Sequence, residues 1–392
     1  MDTRTSLRIE SHDHANSSNM NQNSKSCKVM SKLLLPDDLM IHIFHFVPIL
    51  CLINSARYVS KHFSSTIATS TFTHVYERPA RSKPGLYVEN HKSHIDSYFL
   101  EFKGDLNGQF ERNDLGTPPK MGYLIDTCHG ILLLSNAAGQ HFVVNPIFKS
   151  WLRIPCFPIS KHHIRVRSQC TITRVPRNAK FKLFYADVLE VSSACWYVFY
   201  VLRIGIDSSW KEIARKEAPL DCYVLWKPLY NGGNDLYWIT IEEIIMMDVD
   251  KEIIVRQYPL HARTRFHVWN PKYLWIGDFL SCIVTGNSFS TYKIYILDLD
   301  SGKWSLYHEM GPFDYLAAYG HNLNPISVSF RLWINNQIIF RVGMHQNYSR
   351  KNIHFGYNVK TKQLTKIEDV DMGDFEVWLH TNSLVSLPTT PA

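Results

Sequence analysis

Residues 33–67, LLLPDDLMIHIFHFVPILCLINSARYVSKHFSSTI, carry the one strong helical signal in the chain and determine how the rest is divided. Pro36 suits the first position of a helix, where a missing N–H costs nothing. Asp37 and Asp38 put negative charge at the positive end of the helix dipole. Leu39, Ile43, Phe46 and Val47 recur at i, i+4, i+7 and i+8 and form one apolar stripe, with His42 and His45 elsewhere on the cylinder. Pro48 stops this helix and can open a second through Ile49, Leu50, Leu52 and Ile53. Tyr58, Val59, Phe63 and Ile67 form a third stripe. Three helices in so short a stretch cannot bury their own apolar surface. Leu33, Leu34, Leu35, Ile49 and Leu50 therefore leave a patch for a partner, or for the rest of the chain, to cover.

Outward from this stretch, residues 1–32 are rich in Ser, Asn and scattered charge without an apolar run, which predicts a disordered tail. They also lack the apolar core of a signal peptide. The longest apolar run, 194–202, is far below the ~20 residues a bilayer-spanning helix needs, so no membrane association is expected. The chain has 392 residues, 45% hydrophobic and 20% charged, enough apolar material for the helical unit plus one large domain. Its eight cysteines are scattered with no Cys-x-x-Cys pair, which fits reduced thiols in the nucleus or cytoplasm.

From residue 84 helical periodicity gives way to short β-rich runs separated by Gly, Asn, Asp, Ser and Pro. Residues 130–134, 140–144 and 150–154 read as a three-stranded meander. Its outer hairpin recurs: an apolar strand, an Asn or Asp near its end, a turn, and six residues on an apolar residue, often Trp. Residues 145–151 (NPIFKSW), 298–304 (DLDSGKW) and 358–364 (NVKTKQL) keep the pattern well, and 248–254 keeps it with a weaker turn. The copies at 204–210, without the polar first residue, and 104–110, without the Trp, are poorer. Six hairpins at kelch-like spacing predict a mainly β chain: a small α module at 33–75 followed by a six-bladed β-propeller over 84–388. A β-sandwich built from the same strands is the alternative. Residues 376–378 and 383–387 are left to close the ring by pairing with 86–102. Trp151, Trp210 and Trp304, at their repeat position, are expected to pack between blades.

Two resemblances follow. Leu35-Pro36-x-Asp38-Leu39, Ile43-Phe44, Val47-Pro48, Val59-Ser60-Lys61-x-Phe63 and Ile67 resemble the plant F-box, with His42 and Phe63 standing where that family often has Glu and Trp. Residues 126–134 (DTCHGILLL), 144–146 (VNP) and 151–155 (WLRIP) resemble the opening of the plant F-box associated domain, with His129 where Asn is common. The first resemblance implies binding to the Skp-type adaptor of a cullin ubiquitin ligase. Leu35, Pro36, Leu39, Ile43, Val47, Pro48, Ile49, Leu50 and Val59 are then the adaptor interface and its support. The second implies a propeller-like domain that recruits an unknown substrate protein.

The chain contains no phosphate loop, dinucleotide fingerprint, His-Glu-x-x-His, nucleophile elbow or paired Cys ligands, which argues against the common enzyme classes; no cofactor or metal is expected. His42 and His45, His91 and His94, and His162 with His163 lack companion ligands at metal spacing and read as surface or polar-core residues. Between Thr127 and Ala186 there is no Asp or Glu, against nine Lys and Arg. This segment is either a solvated face neutralised by neighbouring blades or a patch, centred on Arg165, Arg167, Arg174 and Arg177, for an acidic partner. The favoured function is a non-catalytic substrate receptor. The rivals are a nucleic-acid-binding propeller acting through 149–182, with nucleic acid the less expected partner, and a kelch-like enzyme.

Overall fold

A computed structural model describes residues 35–47, 51–67, 69, 72, 84–90, 97–102, 110–113, 121–158, 169–191, 194–219, 227–261, 271–286, 290–315, 325–346, 349–367, 370, 375–383, 385 and 387. The tail at 1–32 lies outside them. Short helices come first, then six four-stranded antiparallel sheets. Reading outward from the centre, blade 1 is Phe375–Thr381, Pro84–Asn90, Ser97–Phe102 and Phe110–Asn113, and blade 2 is Tyr123–Cys128, Ile131–Ser135, His141–Asn145 and Ser150–Ile154. Blade 3 is Cys170–Arg174, Phe181–Val191, Ala194–Arg203 and Lys211–Ala218, and blade 4 is Leu229–Tyr230, Asp235–Ile239, Glu243–Asp248 and Ile253–Pro259. Blade 5 is Lys272–Ile276, Phe279–Thr285, Tyr292–Asp298 and Lys303–Met310, and blade 6 is Pro325–Ile334, Gln337–Gln346, Ser349–Asn358 and Gln363–Lys366. Each innermost strand touches those of both neighbouring blades, so the ring is closed.

The recurring outer hairpin has a local chemical cause. In four blades the first residue of the repeat folds its side chain over its own turn. Asn145 Oδ1 accepts the N–H groups of Ile147 and Phe148 at 2.9 and 3.1 Å, Asp248 that of Lys251 at 2.7 Å, Asp298 that of Asp300 at 3.0 Å, and Asn358 those of Lys360 and Thr361 at 2.9 and 3.0 Å. Four residues on, Lys149, Glu252, Gly302 and Lys362 all take positive φ. The last three return an N–H to the carbonyl of the first residue at 2.8–2.9 Å. Asn and Asp are favoured because their short side chains reach backbone N–H groups two or three residues ahead more strongly than Ser or Thr hydroxyls do. In blade 3, where Ile204 takes that place, the roles reverse: Asp207 Oδ2 accepts from the N–H of Arg203 at 2.8 Å. In blade 1 residues 103–109 lie outside the described region. The inner hairpin of blade 2 turns on His129 and Gly130, both at positive φ as a type I′ turn demands.

The cores lie between blades. One apolar cluster fills each of the six interfaces, from Tyr87, Leu124, Leu132 and Trp378 between blades 1 and 2 round to Leu86, Val88, Leu332 and Ile339 between blades 6 and 1. Trp210 and Trp304 pack there as expected, and each indole N–H reaches the end of the preceding blade, at Pro155 O (3.2 Å) and Pro259 O (2.9 Å). Trp151 does not: it is 56% exposed and meets Phe142 of its own sheet edge-on. Leu152 and Ile154 take the buried face of this outermost strand, which leaves Trp151 and Arg153 on the open one. Charged links span the inner ring. Asp126 of blade 2 accepts from Thr171 Oγ1 (2.5 Å) and Ile172 N (3.1 Å) of blade 3 and pairs with Lys227 (2.8 Å) just ahead of blade 4.

Closure uses only part of the segment set aside for it. Phe375–Thr381 pairs antiparallel with Pro84–Asn90, Val377 opposite Val88 and Trp378 opposite Tyr87. Ser383, Val385 and Leu387, the described residues of 383–387, lie outside any strand, contrary to expectation. The chain leaves blade 1 at Asn382 and crosses to blade 2, where Asn145 Nδ2 donates to Ser383 O (3.2 Å) and Val385 O (2.6 Å) and Leu387 enters the core between blades 2 and 3. Gly130 is required beneath it, since a Cβ there would strike Ser383.

Fully buried Asn145 thus bonds four backbone groups. Asn145→Ala strands all four and should lower unfolding stability by about 2–4 kcal/mol, against about 1 kcal/mol for Asn358→Ala, whose side chain only caps its turn; urea unfolding midpoints measure both. Buried histidines set a second expectation. Burial pushes His141 and His380 down to about 4, and burial, then the nearby positive charges of Arg331 and Arg341, push His354 down to about 3. The unfolded chain binds these protons near pH ~6.5. Their contribution is complete above that value and is lost as pH falls through the folded ones. The thermal midpoint should drop steadily on acidification below pH ~6.5, and a flat profile would contradict the neutral buried rings.

Candidate functional site

The helical module is built on an aromatic cluster. Helix α1, Asp37–Phe44, begins after Pro36, whose carbonyl accepts the Met40 N–H at 3.0 Å. Pro36 has ψ 142°, so it caps the helix and is not its first residue, one place earlier than the sequence suggests. Leu52–Ala56 is a π-helical turn leading into α2, Arg57–Val59. Ser60 is extended (φ −156°, ψ 159°) and its Oγ accepts the Phe63 N–H at 3.0 Å, capping α3, Lys61–Ile67. This break divides the predicted third stripe: Phe63 and Ile67 turn inward, while Tyr58 and Val59 are each 69% exposed. Phe44 meets Phe63 edge-on at 4.9 Å and Phe72 at 6.1 Å. His62 pairs with Asp37 at 3.2 Å, tying α3 to the start of α1.

The core of this module is not closed by its own helices. Met40, Phe44, Leu52, Ile67 and Phe72 share their cluster with Ile147, and Phe148 packs beside it. Both come from the outer-hairpin turn of blade 2 that Asn145 holds. The module therefore sits on one blade through a two-residue apolar plug; of the patch expected to need covering, Leu35 is 44% exposed, and Leu33, Leu34, Ile49 and Leu50 lie outside the described residues.

The adjoining face of α1 stays open. Met40 and Phe44 are the buried pair; Leu39, Ile43 and Phe46, on the stripe read from the sequence, are 44%, 44% and 69% exposed. Leu35 and Pro36 extend this face toward the N-terminus. Of the residues assigned to an adaptor interface, Leu35, Pro36, Leu39, Ile43 and Val59 are exposed, Val47 turns inward against the aromatic cluster, and Pro48, Ile49 and Leu50 lie outside the described residues. Phe46 and Tyr58 are open apolar residues that the assignment omitted; Phe46 had been read into the stripe, and its i+7 position was the signal for it.

The acid-free segment is divided too. Arg165 and Arg167 lie outside the described residues. Arg174 and Arg177 flank the predicted turn, but Arg174 lies back over Phe181 and donates to Ala179 O at 3.4 Å, and Arg177 faces Asp250 of blade 4 at 3.8 Å. Lys182 is buried against Glu252 of the same hairpin at 2.8 Å. Neighbouring-blade acids thus answer part of the charge. His42 is exposed and His45 half-buried; His91, His94, His162 and His163 lie outside the described residues. No group of three potential metal ligands occurs among the described residues, and no described helix is long and apolar enough to cross a membrane.

Residues 33–74 match the F-box domain family. The chain thus carries an F-box domain followed by a six-bladed propeller. No curated protein matches this chain. Among solved structures it is similar to an oligogalacturonate lyase from Vibrio parahaemolyticus (12% identity, 69% of this chain and 70% of that one, TM-score 0.41). It is also similar to an oligogalacturonate lyase in complex with manganese (10%, 69% and 70%, 0.38) and to the β-propeller domain of the Trilobed protease from Pyrococcus furiosus (14%, 65% and 73%, 0.33). With so little identity and TM-scores below 0.5, the six-bladed ring rests on the strand pairings above.

The plug makes a direct expectation. Ile147 is 4% exposed, and Ile147→Asp puts a charge between the aromatic cluster and blade 2. Amide exchange at Met40 and Phe44 should accelerate about tenfold or more, with the strands of blades 4 to 6 unchanged.

Proposed function

We propose that this chain is the substrate-recognition subunit of a Skp–cullin–F-box ubiquitin ligase, resembling plant F-box proteins with an F-box associated, kelch-like propeller. F-box domains bind Skp-type adaptors within cullin complexes, and the observation that carries the reading here is the open face of α1 within the matched F-box. Leu39 and Ile43 stand out of a helix whose inner face is used by Met40 and Phe44, and Leu35 and Phe46 flank it, both exposed. Apolar residues exposed on a helix face and at its two ends suit a partner surface.

In this reading the chain performs no bond chemistry. The F-box seats it on the adaptor, the propeller holds a target protein, and the plug at Ile147 and Phe148 keeps the two in a set orientation. Ubiquitin transfer is then favoured by raised local concentration and alignment, which require no nucleophile or acid–base pair in this chain. Work in the nucleus or cytoplasm fits the free thiols of Cys51, Cys128, Cys156, Cys170, Cys195 and Cys282. The nucleic-acid reading is weakened by the carboxylates of blade 4 that engage Arg177 and Lys182.

Leu39→Asp with Ile43→Asp changes two open side chains and should leave the unfolding free energy within about 1 kcal/mol of the parent. Co-purification of a Skp-type adaptor should fall at least tenfold. Undiminished recovery of the adaptor would overturn the reading.

A further inference from the structure

Blades 3 and 4 do not meet flush at their outer rim. A cleft of about 510 Å³ lies between the turns flanking Phe181–Val191 and Lys211–Ala218 on one side and the turn of the Glu243–Asp248 hairpin on the other. Its lining brings together residues far apart in sequence: Lys180 and Lys182, Arg203 and Lys211, and Asp250, Lys251 and Glu252.

The charges fall into two layers. At the floor, Glu252 is shared by Lys182 Nζ (2.8 Å) and by Arg203, whose Nε and Nη2 approach at 3.1 and 3.2 Å. Lys182 also donates to Val249 O and Asp250 O at 2.8 and 3.0 Å, and Asp250 faces Arg177 at 3.8 Å. Both carboxylates of the cleft are thus engaged. At the rim, Lys180 and Lys211 are exposed and form no ion pair among the described residues, and Lys251 reaches Asp248 only at 4.0 Å. Five cations face two satisfied carboxylates, and the surplus sits where an incoming group arrives first. Beside it Ile206 is 58% exposed, an aliphatic side chain at the wall of the cleft.

We propose that this cleft is the substrate-docking site, and that its occupant is an acidic segment of a target protein carrying an aliphatic residue among its carboxylates. The proposal rests on the substrate-receptor reading and names the chemistry that reading leaves open. Three rim lysines on separate turns suit an extended run of carboxylates, and the volume lies in the range of sites that enclose a few side chains. Ile206 gives the segment its register. A polynucleotide is the poorer fit: its bases need open aromatic faces, and Phe181, the aromatic of the lining, is buried. The cleft also moves the acidic-partner site from the four arginines of the acid-free segment to lysines on three turns.

The test uses the full chain and a fluorescein-labelled peptide of glutamates flanking a single leucine. The parent should bind it, more weakly as salt rises. Lys180→Gln, Lys211→Gln and Lys251→Gln together should weaken binding about tenfold, and Ile206→Ser should weaken it by about threefold with the salt dependence kept. Lys303→Gln, Lys360→Gln and Lys362→Gln, three exposed lysines on blades 5 and 6, should change it by less than about twofold. No binding by the parent, equal losses in both lysine triples, or tighter binding to a uridine oligonucleotide than to the peptide would each overturn the proposal. Skp-type adaptor recovery, measured on every variant, should stay at the parent level. Its loss in the parent itself would instead count against the receptor reading, so the two failures are separable.

Discussion

The structure depends most on what one buried amide does. Asn145 satisfies two N–H groups of its own turn through Oδ1 and two carbonyls of the C-terminal segment through Nδ2. An amide is the smallest side chain with both a double acceptor and a double donor, and here all of that capacity is spent where water cannot substitute for it. The same turn presents Ile147 and Phe148 to the helical module. Ring closure, the shape of blade 2 and the seat of the F-box therefore share one residue, and none can shift without the others.

This arrangement explains how a module of very few residues keeps a definite position on a large propeller. The helices cannot bury their apolar residues alone. Ile147 completes the inner cluster, which frees the adjoining face of α1 to remain open. Inner and outer faces are thus distinguished by the presence of the propeller, and the orientation between the two parts follows from packing.

What could be read in the sequence was chemistry that acts over a few residues. The six-bladed ring was legible because four of its outer turns repeat an Asn or Asp that reaches its own backbone, and the helical module because Pro36 with two acids marks a helix start. The face of α1 that turns inward was harder: 39, 43 and 46 and 40 and 44 are adjacent stripes of similar character, and only Ile147, a hundred residues later, decides between them. The crossing of Ser383 and Val385 to blade 2 left no signal because they are held through their carbonyls, which every residue has. The rim cleft was hidden for a related reason, since Lys180, Lys211 and Lys251 are unremarkable singly and gain meaning only when neighbouring turns converge.

The central claim is that one face of the F-box engages an adaptor while the propeller rim stays free for a target. Hydroxyl-radical footprinting of the full chain with and without a Skp-type adaptor tests this directly. Leu35, Leu39, Ile43 and Phe46 should lose reactivity on adding the adaptor, while exposed Trp151 and Ile206 keep theirs. Protection at Ile206 with α1 unchanged would contradict the account.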